Sequence, residues 1–510
     1  MLAMLDIPEK RQRLLLRRDA ITQETLQLIP ETIARTYNVI PLEVTGNTLR
    51  IAMANTSDII ALEAVESRTH LRVEPVAAEP DEVLMAIDFF YQSSYGDIEK
   101  HLSGLSPTSE TSIEELMPDT AADAPIAKAL TLIIDEAIKS RASDIHIQPE
   151  EDSVRIRYRI DGTLHERHTL PLQTAVPLIS RIKILAKMNI ADHHRPQDGQ
   201  LSVKPKDRPS IDIRVGTIPI VHGEMAALRL LDKSKAVMTL PQLGFLPESL
   251  QRYEEMLRVP YGMILVTGPT GAGKTTSLYA SLNSLDRKGR NILTIEDPVE
   301  YRFKNINQIQ VNARSGLTFA AGLRSILRLD PDVILVGEIR DAETANIAVQ
   351  SALTGHLVLS SIHANDAVGV ISRLLDLGVE PFLIASALIG VVAQRMGRRV
   401  CSACAEMTEV SMVEQHAYSR ETGEERKEFL IGKGCKSCSE TGYQGRIGFY
   451  EIMKISDDIR SMILENANAA KIRECAVNEG MIPLIKDGML KVKDNITNPA
   501  EVLRNAYTSD

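Results

Sequence analysis

The sequence predicts a multidomain α/β protein with a parallel sheet at its centre, and three features carry that expectation. The chain has 510 residues, too many for one ordinary core and enough for three or four domains. Between about 245 and 395, short apolar segments alternate with helical stretches. Two CxxC pairs then break the pattern ahead of a largely helical tail. Hydrophobic residues make up 44% and charged residues 25%, the profile of a soluble globular protein.

In chain order, residues 1–91 form the first unit. The basic stretch "KRQRLLLRR" is a docking or membrane-surface helix, or simply a solvated one. It is followed by "LIPETIARTYNVIPLEV", a helix and an edge strand, then by "GNTLRIAMA", a turn and a strand. The segment "DEVLMAIDFFY" closes the unit as an amphipathic helix. Residues 92–125 are rich in Ser, Thr, Pro and acids, with little apolar periodicity, and are expected to be a mobile linker.

A second α/β domain is expected over 126–240. "AKALTLIIDEAIKSRASDIHIQP" gives a helix with apolar positions at helical spacing, then a strand. In "VRIRYRI" apolar and charged residues alternate, so Arg155, Arg157 and Arg159 share one strand face. That basic face matters only if it meets a phosphate or acidic neighbours.

Residues 241–395 hold the apolar strands "MILV" (263–266), "ILTI" (292–295), "VILV" (333–336) and "LVLS" (357–360). Apolar strands between helices imply a parallel sheet buried on both faces. The run "FLIASALIGVVA" (382–393) is expected to be a buried helix, and it is too short for the roughly 20 residues of a membrane span. A four-cysteine module is expected over 396–445 and a helical subdomain over 446–510.

The strand "MILVT" leads directly into Gly268, Pro269, Thr270, Gly271, Ala272, Gly273, Lys274, Thr275 and Thr276. This matches GxxxxGK[ST] in strand–loop–helix context. Its glycines let backbone N–H groups cradle phosphates at the positive end of a helix. Lys274 is expected to reach the β- and γ-phosphates of ATP, and the Thr275 hydroxyl to ligate Mg²⁺.

In "PDVILVGEIRD" the apolar strand ends in Gly337 and Glu338, where a carboxylate suits polarising an attacking water. Glu296, Asp297 and Glu300 cluster after another buried strand. Such clustering is costly unless a cation compensates, and Glu296 is assigned to metal or water positioning. Arg324 and Arg328 stand four apart on an expected helix and so point to one side, toward surface salt bridges, the nucleotide or a neighbouring subunit. His363 ends a buried strand beside these groups and suits a γ-phosphate sensor.

Cys401, Cys404, Cys435 and Cys438 form two CxxC knuckles, the pattern of a closed, structural Zn²⁺ site. A redox pair is the weaker reading, and a disulfide framework does not suit a reducing compartment. Cys475 stands alone and is read as a small buried hydrophobe. The N-terminus has no signal-peptide pattern, so a cytoplasmic location is expected. The net charge of −10 and the absence of Trp argue against nucleic-acid binding.

With these elements in this order, the chain resembles the secretion-ATPase family of type II secretion and type IV pilus assembly. The likeness runs from about residue 25 to 507. It is carried by "ASDIHIQP", "RYRIDGTL", "PQDGQ", "GPTGAGKTT", "IEDPVEY", "LRSILRLDPDVILVGEIRD", "TGHLVLSSIHAND" and "GYQGRIGFYEIM". "LLDKS", "LGVEPFLIASAL" and the four-Cys insertion are most similar to the GspE branch.

The resemblance implies a RecA-like P-loop NTPase core behind a PAS-like domain, assembled as a homo-hexamer with nucleotide between the two domains. It implies that Arg214 in "DIRVGT" and Arg229 in "LRLLDKS" reach the phosphates together with Arg324 and Arg328. It also implies type II secretion, with pilus assembly as the alternative. The N-terminal module would dock on the cytoplasmic domain of an inner-membrane platform protein, and a polytopic inner-membrane assembly protein would be a second partner. The chain would then be cytoplasmic and attached to the inner membrane through those partners. Met225 and Gln148 stand where the family commonly has arginine and glutamate, and neither is a proposed phosphate contact.

Overall fold

The computed structural model describes residues 23–506, apart from 57, 70, 79, 81–82, 85, 88–123, 204–209 and 232–237. The basic N-terminal stretch, most of the linker and part of the "DEVLMAIDFFY" helix lie outside the described residues. The chain divides into two units, residues 1–104 and 105–510.

In the first unit, helices α1 (Gln23–Leu28) and α2 (Glu31–Tyr37) precede strands β1 (Val39–Thr45) and β2 (Thr48–Met53). Helix α3 (Ile59–Thr69) then leads to β3 (Arg72–Ala77). The sheet order is β1-β2-β3, with β1 antiparallel and β3 parallel to β2, so β1 is the edge strand its sequence predicts. Asn38 turns α2 into β1 in the left-handed conformation, which asparagine tolerates better than most residues. Ile29, Val39, Ile51 and Val65 form its core.

The second unit opens with α4 (Ala124–Lys139), which already includes the last two residues expected in the linker. Strands β4 (Ala142–Pro149), β5 (Ser153–Ile160) and β6 (Thr163–Pro171) form one meander. Helix α5 (Ala175–Leu185) crosses to a second meander, β7 (Gln197–Val203), β8 (Ile211–Ile220) and β9 (Gly223–Leu231). The two join at β4 and β9 in an antiparallel sheet of order β6-β5-β4-β9-β8-β7. On β5, Val154, Ile156, Tyr158 and Ile160 are buried, while the arginines between them meet acidic and polar neighbours. Arg155 pairs with Glu150 at 2.8 Å, Arg157 donates to Gln148 at 2.7 Å, and Arg159 lies 3.6 Å from Asp144.

Next come α6 (Pro247–Leu257), β10 (Gly262–Thr267), α7 (Lys274–Ser284), β11 (Ile292–Glu296), β12 (Asn307–Gln310) and α8 (Phe319–Ile326). They are followed by β13 (Val333–Ile339), α9 (Ala342–Leu353), β14 (Leu357–Ile362), α10 (Gly369–Asp376), α11 (Pro381–Ala387) and β15 (Leu388–Val400). The four apolar segments are the strands expected. They lie side by side in a seven-stranded sheet of order β12-β11-β13-β14-β10-β15-β18, parallel as far as β15.

Two expectations need correction. The run 382–393 is not one helix: α11 ends at Ala387 and the chain becomes β15. Val391 and Val392 there pair with β10 on one side and β18 on the other, and β-branched residues favour that setting. At Gly390 a Cβ would lie 2.7 Å from the Met453 carbonyl, so the close strand approach needs glycine. Arg324 and Arg328 also do not share a helix, because α8 ends at Ile326. Asp330, in the left-handed conformation, precedes Pro331, and a residue before proline is excluded from continuing a helix.

The cysteine module is inserted between β15 and its antiparallel neighbour β18 (Tyr443–Lys454). It comprises β16 (Ala405–Glu409), α12 (Met412–Thr422) and β17 (Glu428–Gly432). The boundaries expected after 395 and after 445 therefore fall inside strands. The tail is helical as expected: α13 (Asp457–Leu464), α14 (Ala469–Asn478), α15 (Leu484–Lys493) and α16 (Pro499–Ala506). Its apolar residues share one core with the sheet. Among the described residues, no helix is long and apolar enough to cross a membrane.

Candidate active site

Strand β10 delivers the chain to a loop, residues 268–273, whose apex at 269–271 is exposed. Gly268 has φ +144°, and a Cβ there would lie 2.3 Å from the Gln394 carbonyl oxygen. Gly273, at φ +86°, starts α7. Lys274 Nζ donates to the Gly268 and Pro269 carbonyls at 2.7 and 3.2 Å. Burial lowers its pKa, and the nearby Glu338 carboxylate opposes that shift. Thr275 is exposed at the mouth, with Thr276 half-buried beside it. The N–H groups of a helix start, a lysine and an open hydroxyl fit a nucleotide phosphate with its Mg²⁺.

Glu338 sits near the end of β13, largely buried, and pairs with Arg340. His363 Nε2 lies 3.7 Å from its other oxygen. The structure thus gathers Lys274, Glu338 and His363 where the strands end. Glu296 ends β11 with 3% of its surface exposed. Its carboxylate accepts from the Tyr279 hydroxyl, from Thr294 Oγ1 at 2.5 Å and from Gln308 Nε2 at 3.2 Å. Three donors make this buried charge tolerable and tie the following loop to α7. Gly337 permits the close crossing, since a Cβ there would meet Glu296 Cα at 3.3 Å.

From the antiparallel domain, Arg214 on β8 reaches this loop. It donates to the Val299 carbonyl at 3.1 Å and pairs with Glu300 at 3.2 Å. The other arginines have different surroundings. Arg229 is held by Asp144 at 3.0 Å, Arg324 pairs with Glu343 at the start of α9, and Arg328 is exposed in the turn after α8.

Sequence reasoning missed Gln394. This buried β15 side chain donates to the Ala272 carbonyl at 2.5 Å and accepts from Ser277 Oγ at 2.8 Å. It buttresses the phosphate loop from behind. Nothing local distinguishes it, since it stands where the apolar run "LIGVVA" gives way to "QRMGRR". Thr267 was also missed. Its hydroxyl donates to the Ala364 carbonyl at 2.9 Å and accepts from the Ala364 amide at 2.8 Å.

The four cysteine sulfurs all lie within 4.8 Å of one another. The Cys401–Cys435, Cys404–Cys438 and Cys435–Cys438 separations are 3.9, 3.9 and 3.7 Å. A tetrahedron with metal–sulfur bonds of about 2.3 Å has edges of about 3.8 Å, so the set fits a tetrahedral metal. The separations are also too long for a disulfide. Amides of Cys435 and Gly442 donate to Cys438 Sγ at 3.1 and 3.2 Å. Cys475 is half-buried against the core, with Glu479 as its polar neighbour.

The chain is similar to known proteins over most of its length. The model of the type II/IV secretion system protein family matches residues 119–504, and that of the MshEN domain matches residues 6–96. The chain is 41% identical over 493 residues to type II secretion system protein E of Pectobacterium carotovorum subsp. carotovorum, covering 94% of this chain and 97% of that one. It is 39% identical over 494 residues to type IV pilus assembly ATPase PilB of Myxococcus xanthus (strain DK1622), covering 95% and 87%. The X-ray structure of the Legionella pneumophila ATPase DotB superposes with a TM-score of 0.55 over 73% of this chain and 94% of its own, at 20% identity. That last likeness is one of fold alone.

Proposed function

Given that the chain belongs to the type II/IV secretion system protein family and is an ATPase, we propose that it works as a hexameric motor driving type II protein secretion. The observation that carries this reading is the convergence of Lys274, Glu338 and His363 at the strand ends, with Arg214 arriving from the preceding domain. In the proposed reaction, water attacks the γ-phosphorus of ATP and its proton passes to Glu338. The bond from phosphorus to the ADP oxygen breaks. Lys274 stabilises charge on the β- and γ-oxygens and His363 senses the γ-phosphate. Mg²⁺ held through Thr275 would add charge neutralisation. Glu296 acts by fixing the loop that receives Arg214.

Arg229, Arg324 and Arg328, two of them paired elsewhere within this chain, are proposed to meet the nucleotide of a neighbouring subunit. Motion of the Arg214 domain against the sheet would turn hydrolysis into displacement. The four cysteines hold a structural Zn²⁺. The N-terminal module is the proposed docking element for the cytoplasmic domain of an inner-membrane platform protein, working beside a polytopic assembly protein. This would keep a cytoplasmic chain at the inner membrane. Pilus assembly is the second reading, favoured by the PilB relative at nearly the same identity and coverage.

ATP turnover measured against protein concentration, with mass determined alongside, tests the motor. Specific activity should rise with ring formation and fall at least a hundredfold in Glu338→Gln, an estimate of about 2.7 kcal/mol or more in barrier height. Full activity in a dilute monomer would defeat the ring mechanism.

A further inference from the structure

The loop after β14 carries His363 and continues through Ala364, Asn365, Asp366 and Ala367. Each of the four is held by a different element. Thr267 of β10 grips the backbone of Ala364. Arg395 of β15 donates to the Asn365 carbonyl at 2.9 Å. The Asp366 carboxylate accepts from Arg473 Nη2 at 2.5 Å and from the Gly369 amide at 2.7 Å. The Ala367 amide donates to the buried Glu451 of β18 at 2.9 Å.

Arg473 comes from α14, in the helical tail, and is shared between the last two grips. Its other terminal nitrogen lies 3.6 Å from Glu451. Glu451 is 2% exposed; burial raises its pKa, and the Ala367 amide and the Arg473 charge oppose that shift. One planar guanidinium thus clamps two carboxylates that fix successive residues of the loop, a geometry suited to arginine and not to lysine. His363 itself is exposed and, among the described residues, has Glu338 as its one ion-pair neighbour, so the loop behind it sets where its ring stands.

We infer that Arg473 is a positioning residue for hydrolysis: the tail fixes His363 opposite Glu338 by clamping Asp366 and Glu451. This rests on the roles given above to His363 and Glu338. It makes the C-terminal helices part of the catalytic apparatus without contact to nucleotide.

The experiment compares full-length wild type with Arg473→Ala, Arg473→Lys, His363→Ala and the Arg473→Ala/His363→Ala double variant. It measures kcat and KM for ATP, and Kd for a fluorescent ADP analogue. Arg473→Ala should lower kcat roughly ten- to a hundredfold, as misplacement of a reacting group does, with KM and Kd nearly unchanged. Lysine, which keeps the charge but cannot span both carboxylates, should restore only a minor part of kcat. The double variant should be no slower than His363→Ala, because both changes remove one function. Should Arg473→Ala fail to fold by circular dichroism, Asp366→Asn, which keeps the turn's acceptor, takes its place. An unchanged kcat, equal losses in kcat and nucleotide affinity, or additive losses in the double variant would each overturn the inference alone. An unimpaired His363→Ala would instead overturn the role of His363 and the inference with it.

Discussion

At Tyr279 a single hydroxyl serves both the Glu296 carboxylate and the Glu300 amide. Its ring meets Phe303 edge-on, with centroids 4.9 Å apart. Burial, then the adjacent Glu296 charge, raise its pKa, so it remains a donor across the working range. Tyr279→Phe keeps the packing and withdraws one of three donors from a buried carboxylate. That should cost about 1–3 kcal/mol, read from urea unfolding, and weaken the hold on the loop that Arg214 contacts. Residues of this kind mark the limit of sequence reading. Glu338 and His363 are legible because each ends an apolar strand, a place where parallel sheets expose chemistry. Tyr279 and Gln394 look like ordinary interior residues, since their roles lie in contacts to residues 17 and 122 positions away. Arg214 is legible only through family resemblance, because a strand arginine usually faces water.

The phosphate loop is an element whose shape is set from outside. Its glycines supply positive φ, but Gly268 also leaves the space into which the β15 backbone intrudes. Gly268→Ala should therefore displace the loop or β15 and weaken binding of a fluorescent ATP analogue by at least tenfold, about 1.4 kcal/mol. Alanine at Gly271, where a Cβ meets nothing within 4 Å, carries only the cost of its backbone conformation, of order 1 kcal/mol. Binding titration of the two variants side by side separates crowding from conformational strain. The four parallel strands were visible at this scale because burial on both faces leaves an unmistakable apolar run. The run 382–393 was not, since a helix and a strand that are both buried have no polar face to reveal their period. Pro331 bars Asp330 from a helix, and α8 has already ended at Ile326, ahead of the second arginine.

Across the whole molecule, the order of units follows the sequence, from small α/β module to antiparallel domain to parallel sheet. What composition hides is that the sheet does not stop where the cysteines begin. If those thiols hold a metal, treatment with a strong chelator should release about one zinc per chain and lower the unfolding midpoint by roughly 5 °C or more. Scanning calorimetry with metal analysis checks this, and an unchanged midpoint in metal-free protein would remove the stabilising role. The same region has a double character that follows from its two ends. Cys401 donates its amide to the Gly442 carbonyl at 3.0 Å, so the backbone enters and leaves the cysteine module through neighbouring positions. By connectivity the module is a detachable cassette, one that a tight turn could replace. By packing it is nothing of the kind: Tyr418 and Phe429 belong to the same core as Val492 and Val502 of the tail. Shortening this hairpin would leave an apolar scar on the tail helices, so loss of the cassette requires the surface beneath it to change in concert.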